Sequence, residues 1–145
     1  MERRTLGCSG IDVSPMGIGC WAIGGTGWGG GAADDESIRG IRKAIELGVT
    51  LFDTADACGP GRSERVLGKA LAGRHQVVVA TKFGHTPAGP NAESGHIRLA
   101  CEASLRRLNT DDVDLYQLHL GDRDPGAHRI NRSLDDDPQT YQDIS

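Results

Sequence analysis

The chain has 145 residues, enough for one domain with a real hydrophobic core. Its formal net charge is −4 and its 16 Lys and Arg are scattered, which argues against a nucleic-acid or anionic-membrane partner. No apolar run approaches the roughly 20 residues of a membrane span, and no apolar stretch follows Met1-Glu2-Arg3-Arg4, so neither a spanning helix nor a secretory signal is expected.

In chain order, two short extended runs at residues 4–6 and 11–13, separated by Cys8-Ser9-Gly10, predict a β-hairpin within residues 2–15. Residues 16–23 are apolar and glycine-rich and predict a strand. Asp35 is placed to cap a helix in which Ile38, Ile41 and Ile45 recur at helical spacing, ending at Gly48. A second strand follows at 49–52. Ser63 is the expected cap of a second helix with the stripe Val66, Leu67, Ala70 and Leu71. The β-branched run 77–80 suits a strand buried on both faces. A third helix carries Ile97, Cys101, Leu105 and Leu108 and stops at Asn109, which tolerates a left-handed cap. Residues 113–120 form the fourth strand. Four strands separated by three helices predict an α/β fold of parallel βαβ units.

Beyond Leu120 the composition turns to Asp, Arg, Pro, Gly, Asn and Ser. Residues 1–120 are therefore expected to form the folded unit (hairpin 2–15, βα units 16–120). Residues 121–145 read as a polar tail with one short helix, in which Asp124 is the cap, Pro125 the first position, and Ala127, Ile130 and Leu134 one face. Cys8, Cys20, Cys58 and Cys101 form no C-x-x-C pair and, without an export signal, read as reduced thiols of a cytoplasmic protein.

Gly25-Thr26-Gly27-Trp28-Gly29-Gly30 matches G-x-G-x-x-G, and Asp53 ends the next strand near where a ribose-binding acid belongs in a Rossmann site. Two details oppose that reading. The helix begins only after Gly31-Ala32-Ala33, so its amides do not meet the glycines. Asp34, Asp35 and Glu36 would also repel a pyrophosphate there. The glycines read instead as a barrel loop.

Polar groups stand at the C-terminal ends of the later strands: Asp53-Thr54-Ala55-Asp56 after the second, Lys82 at the third, His119 at the fourth. In β/α barrels this face hosts catalysis. Singly, each has a plain structural reading: a helix cap, a solvated rim charge, a core histidine. All three at equivalent strand ends point to a site.

The stretches Arg4-Thr5-Leu6-Gly7, Leu51-Phe52-Asp53-Thr54-Ala55-Asp56, Gly61-Arg62-Ser63-Glu64, Ala80-Thr81-Lys82-Phe83-Gly84 and Asp114-Leu115-Tyr116-Gln117-Leu118-His119 together resemble the aldo-keto reductase family, nearly continuously from Arg4 to Leu120. The resemblance implies half of a TIM-type (β/α)8 barrel, four parallel strands with helices behind an N-terminal β-hairpin. It also implies a tetrad of Asp, Tyr, Lys and His that reduces a carbonyl with hydride from NADPH. In that tetrad the tyrosine donates the proton, Lys paired with Asp lowers its pKa, and His orients the carbonyl. Asp53, Lys82 and His119 match three positions. The fourth, five residues after Asp53, is Cys58.

A phenol titrates near about 10 and reaches far into a pocket, whereas a thiol titrates near about 8.5, is shorter and donates weakly. Beside Lys82 the thiol is expected to tend toward thiolate. Cys58 reads either as a functional group or as a small apolar filler. Family members continue through further βα units that supply most NADPH contacts, and none of those segments occurs in this sequence. The catalytic set is thus Asp53, Cys58, Lys82 and His119, with no cofactor-binding residue and no metal ligand assigned, and no cofactor expected on the chain alone.

Three functions follow as expectations. The first is cofactor-independent acid-base chemistry on a small carbonyl compound: enolisation, dehydration or cyclisation of the lyase, isomerase or cyclase type. The second is NADPH-dependent carbonyl reduction by a barrel completed through a partner chain. The third is an inactive pseudoenzyme or binding module. A four-stranded parallel sheet leaves its outer strands exposed, so a homodimer, or pairing with another half-barrel chain, is expected to close it.

Overall fold

The computed structural model describes residues 2–25, 33–73 and 76–119. The expected hairpin forms from β1 (Arg4–Thr5) and β2 (Asp12–Val13), paired antiparallel. Four parallel strands follow in one sheet: β3 (Gly17–Gly19), β4 (Leu51–Asp53), β5 (Val78–Phe83) and β8 (Leu115–Leu118), side by side in chain order. Helices α1 (Asp34–Glu46), α2 (Arg62–Leu71) and α3 (Ser94–Leu108) alternate with them. This is the four-stranded βα half of a TIM-type barrel that the alternation predicted. A small antiparallel hairpin, β6 (His85–Thr86) with β7 (Gly89–Pro90), sits directly after β5 and was not foreseen.

The helical stripes pack on one face of the sheet. Ile41 of α1 and Val66, Leu67 and Ala70 of α2 meet Phe52 of β4, Val79 of β5 and Leu108 of α3. Phe52 and Leu67 are wholly buried, and burial of such side chains contributes about 1.5–3 kcal/mol each. At Gly68 an added Cβ would overlap the backbone of Leu108, so α2 and α3 touch where only glycine fits.

Several boundaries differ from the sequence reading. The first parallel strand ends at Gly19, and Trp21–Gly24 curls into a 3-10 turn; Cys20 donates its N–H to the Asp53 carbonyl at 2.7 Å. A Cβ at Gly24 would sit 2.7 Å from the Cys58 carbonyl carbon, so this turn lies directly on the Cys58–Gly59 backbone. Asp35 is not the cap of α1, which starts at Asp34 without a side-chain cap, and Asp34 bonds Arg62. Ser63 is not the cap of α2 either. Gly61 holds that position at φ 72, a left-handed conformation that glycine adopts without strain, and the Ser63 side chain is spent elsewhere. Asn109 ends α3 at φ 57, as expected. The glycine run beyond Gly25 and the tail 121–145 lie outside the described residues.

Candidate active site

Strand pleating decides which side chains reach the face opposite the helices. The register pairs Gly19 with Asp53, Asp53 with Ala80, and Lys82 with Gln117, so these residues share one face. The alternate residues, Phe52, Val79 and Thr81, point into the helix layer. Asp53 is the last residue of β4 and Lys82 stands one residue from the end of β5. His119 follows β8 immediately, its N–H bonded to the Phe83 carbonyl at 2.9 Å. The structure thus gathers at one sheet end the three residues read from sequence as strand-end groups.

Lys82 Nζ donates to Asp53 Oδ1 at 2.5 Å and to the Thr54 carbonyl at 2.9 Å. Two acceptors on the neighbouring strand fix the ammonium, with 21% of the Lys82 side chain and 44% of that of Asp53 exposed. Water therefore reaches the pair and screens it. The sheet face beside Asp53 is open at Gly19, where an added Cβ would meet nothing within 4 Å.

Cys58 lies in the turn between β4 and α2, its N–H on the Ala55 carbonyl at 3.3 Å, and is buried to 5% exposure. Burial pushes its thiol above the ordinary range; Lys82 pulls the other way, and Asp53, Asp56 and Glu64 add to the rise. This corrects the expectation that Lys82 would make it a thiolate: desolvation outweighs the ammonium, and Cys58 is held as a neutral thiol. His119 is held below its ordinary 6.5, chiefly by burial and then by the positive charge of Lys82. It is therefore a neutral imidazole at pH 7. Its Nδ1 is buried with no hydrogen-bond partner among the described residues, and its ring lies 6.4 Å from that of His85 on the unforeseen hairpin.

Sequence reasoning missed the supports behind these groups. Ser63 Oγ donates to the Cys20 carbonyl at 2.7 Å and meets Thr54 Oγ1 at 2.8 Å. Glu64, wholly buried, accepts from Thr81 Oγ1 at 2.6 Å and from Arg107 Nε at 2.5 Å. Ser63 and Glu64 thus tie the start of α2 to β3, β4, β5 and α3. Asp56 was seen only as part of a resemblance stretch. Its Oδ1 is buried and unpartnered among the described residues, and burial, then Glu64, raises its carboxyl above 3.8. Cys20, wholly buried, has its thiol pushed up to about 12 by burial.

The Aldo/keto reductase family matches this chain over residues 15–134. The chain belongs to the aldo-keto reductase family. Among curated relatives, aldo-keto reductase YhdN of Bacillus subtilis is 43% identical over 129 residues, which cover 84% of this chain and 39% of the relative. Among solved structures, the holo form of an aldo-keto reductase from Bacillus halodurans superposes with a TM-score of 0.78 at 34% identity, over 94% of this chain and 46% of that one. An aldo/keto reductase from Klebsiella pneumoniae, solved in complex with NADP and acetate, is 35% identical with a TM-score of 0.63, over 74% of this chain and 35% of that one. The chain spans less than half the length of each of these aldo-keto reductases. Among the described residues, no helix is long and apolar enough to cross a membrane.

Proposed function

We propose that this chain supplies the carbonyl-polarising part of an oxidoreductase site acting on small aldehydes or ketones, with Asp53, Cys58, Lys82 and His119 as its working residues. The observation that carries the reading is the Lys82 ammonium, fixed between Asp53 and the Thr54 carbonyl at the strand ends. A cation held in place before the substrate arrives stabilises the negative charge that grows on a carbonyl oxygen under attack. Neutral His119 offers a second hydrogen bond to that oxygen. Cys58, kept as a thiol, stands where relatives carry their proton donor.

The described residues fit a nicotinamide cofactor at its reactive end only. The open face at Gly19 leaves room for a flat ring beside Asp53 and Lys82. Arg62 and Arg107, by contrast, are bound to Asp34 and Glu64. When bound, NADPH supplies hydride to the carbonyl carbon. The residues of this chain orient the carbonyl and deliver a proton to its oxygen. Homology to oxidoreductases, one of them solved with NADP, supports this reading over the cofactor-free one.

A second reading is favoured by one observation, Cys58 in place of the phenol. A site that polarises a carbonyl without a strong proton donor suits enolisation, in which an α-proton is removed and returned. Here too the substrate is a small carbonyl compound. The outer strands of the described sheet, β3 and β8, are where a second copy or another half-barrel chain would continue it. Light scattering tests that pairing: a mass equal to one chain sinks it.

One experiment separates the two chemistries. Purified protein is mixed with an enolisable aldehyde in deuterated buffer, with and without NADPH. Loss of absorbance at the nicotinamide band with NADPH supports reduction. Deuterium entering the α-carbon without NADPH supports enolisation. Neither signal, on folded protein, removes both.

A further inference from the structure

Three carboxylates lie around the site, and two are answered by cations. Asp53 has Lys82, and Glu64 has Arg107 with the Thr81 hydroxyl. The third, Asp56, has a buried Oδ1 that no described residue bonds. Its place is set by backbone contacts: its N–H meets the Lys82 carbonyl at 3.3 Å and its carbonyl accepts from Gly61 at 2.7 Å. It occupies the same tight turn as Cys58, two residues before it. An oxygen left unbonded inside a protein is costly as a carboxylate and much less so as a carboxylic acid.

The groups that act on Asp56 come from every element around it. Glu64 of α2 raises its carboxyl further; Arg107 of α3, His119 after β8 and the Ala57 amide lower it, but burial dominates. In turn Asp56 acts on Cys58, on His119 and on Tyr116, whose hydroxyl is also buried and unpartnered. Asp56 is thus the one carboxyl without a cation of its own that is coupled to both the thiol and the imidazole of the site.

We propose that Asp56 is a proton-relay and positioning residue of this site, acting through Cys58 and His119. The inference rests on the carbonyl chemistry proposed above. When the Cys58 thiol gives its proton to a carbonyl oxygen, a thiolate remains at sulfur. The Asp56 carboxylic acid then transfers its O–H proton to that sulfur, restoring the thiol, and the Asp56 carboxylate regains a proton from water. That transfer runs from the stronger acid to the weaker, since carboxyl groups titrate well below thiols. The step uses no oxidant or reductant and adds to the site the acid that the missing phenol would have been.

The test reads protonation directly, with no substrate present, so its outcome is separable from that of the function reading. Protein labelled with 13C at the aspartate carboxyl is titrated by NMR, with Asp56→Asn identifying the signal. The expected result is an Asp56 midpoint above the ordinary aspartate value, and a His119 midpoint that falls in Asp56→Asn as the carboxylate's pull is lost. With substrate, the wild-type rate declines as pH rises through the Asp56 midpoint, and Asp56→Asn loses that limb together with about 10²-fold in kcat. Asp56→Glu restores the limb in part. An Asp56 that titrates at the ordinary value, or a His119 midpoint unmoved by the substitution, overturns the proposal even if the protein turns over carbonyl compounds. If Asp56→Asn does not fold, the wild-type titration, assigned through bonds, decides alone.

Discussion

The hydroxyl of Ser63 donates to the carbonyl oxygen of Cys20 at 2.7 Å, across 43 residues of sequence. Because that hydroxyl gives its hydrogen to Cys20, the hydroxyl of Thr54, 2.8 Å away, is the donor toward Ser63. Ser63 also receives the Cys58 carbonyl on its own N–H at 3.2 Å. One small side chain at the start of α2 therefore locks the chain leaving β3 to the turn that carries Cys58. Ser63→Ala leaves two buried partners unsatisfied, which costs about 1–3 kcal/mol. Urea denaturation with an unchanged m-value checks this; a loss below a few tenths of a kcal/mol contradicts the role.

Glu64→Gln keeps the shape of the side chain but removes the charge that answers Arg107. Glu64 is wholly buried and the Arg107 side chain is 24% exposed, so the guanidinium is left partly desolvated and unpaired. Breaking a buried pair from one side costs about 3–5 kcal/mol, and the lower end applies here because water reaches Arg107. Chemical denaturation is the check. A cost at the few-tenths level of a surface pair would place Glu64 outside the fold's supports.

Stability varies with pH through two groups of opposite sign. The folded His119 titrates below 6.5, so the unfolded chain binds that proton more readily. Its contribution is complete above pH 6.5 and is lost as pH falls from there through the folded value. Asp56 is raised above 3.8, so its contribution is complete below 3.8 and lost as pH rises through its folded value. His119→Gln is expected to flatten the acid side of the stability profile. Asp56→Asn is expected to gain stability relative to wild type as pH approaches neutrality. Thermal melts across pH 4–8 read both; a His119→Gln profile parallel to wild type contradicts the first.

Cys58→Tyr places a phenol beside the Lys82–Asp53 pair. If reduction is the chemistry, NADPH-dependent turnover of an aldehyde rises by about 10²-fold, the usual scale of a positioned general acid. Cys58→Ala lowers it by a comparable factor. A rate that rises with Ala as much as with Tyr would mean that the thiol only fills space.

Periodicity revealed the layers of this fold because the stripes Ile38–Ile41–Ile45 and Val66–Leu67–Ala70 are local patterns that burial demands. The strand ends bearing Asp53, Lys82 and His119 were legible for the same reason: once the alternation is known, a polar residue at the end of an apolar run has one place to be. Local reading failed where a long-range partner took over. Ser63 has the sequence look of a cap, yet Gly61 caps α2 and the Ser63 hydroxyl serves Cys20. The pairing of Glu64 with Arg107 spans 43 residues and leaves no periodic trace. The charge state of Cys58 was misjudged because Lys82 is visible in the sequence while desolvation is not.

The parallel strands lie in the sheet in the order in which they occur along the chain. Each new strand therefore docks on the one made just before it, and none has to wait for a later segment to occupy a place between two earlier ones. During synthesis, β3 with α1 and β4 can assemble while β5 is still in the ribosome, and each later unit adds to a finished rim. Such a sheet grows by accretion, and its assembly can pause after any unit without trapping a strand in the wrong slot.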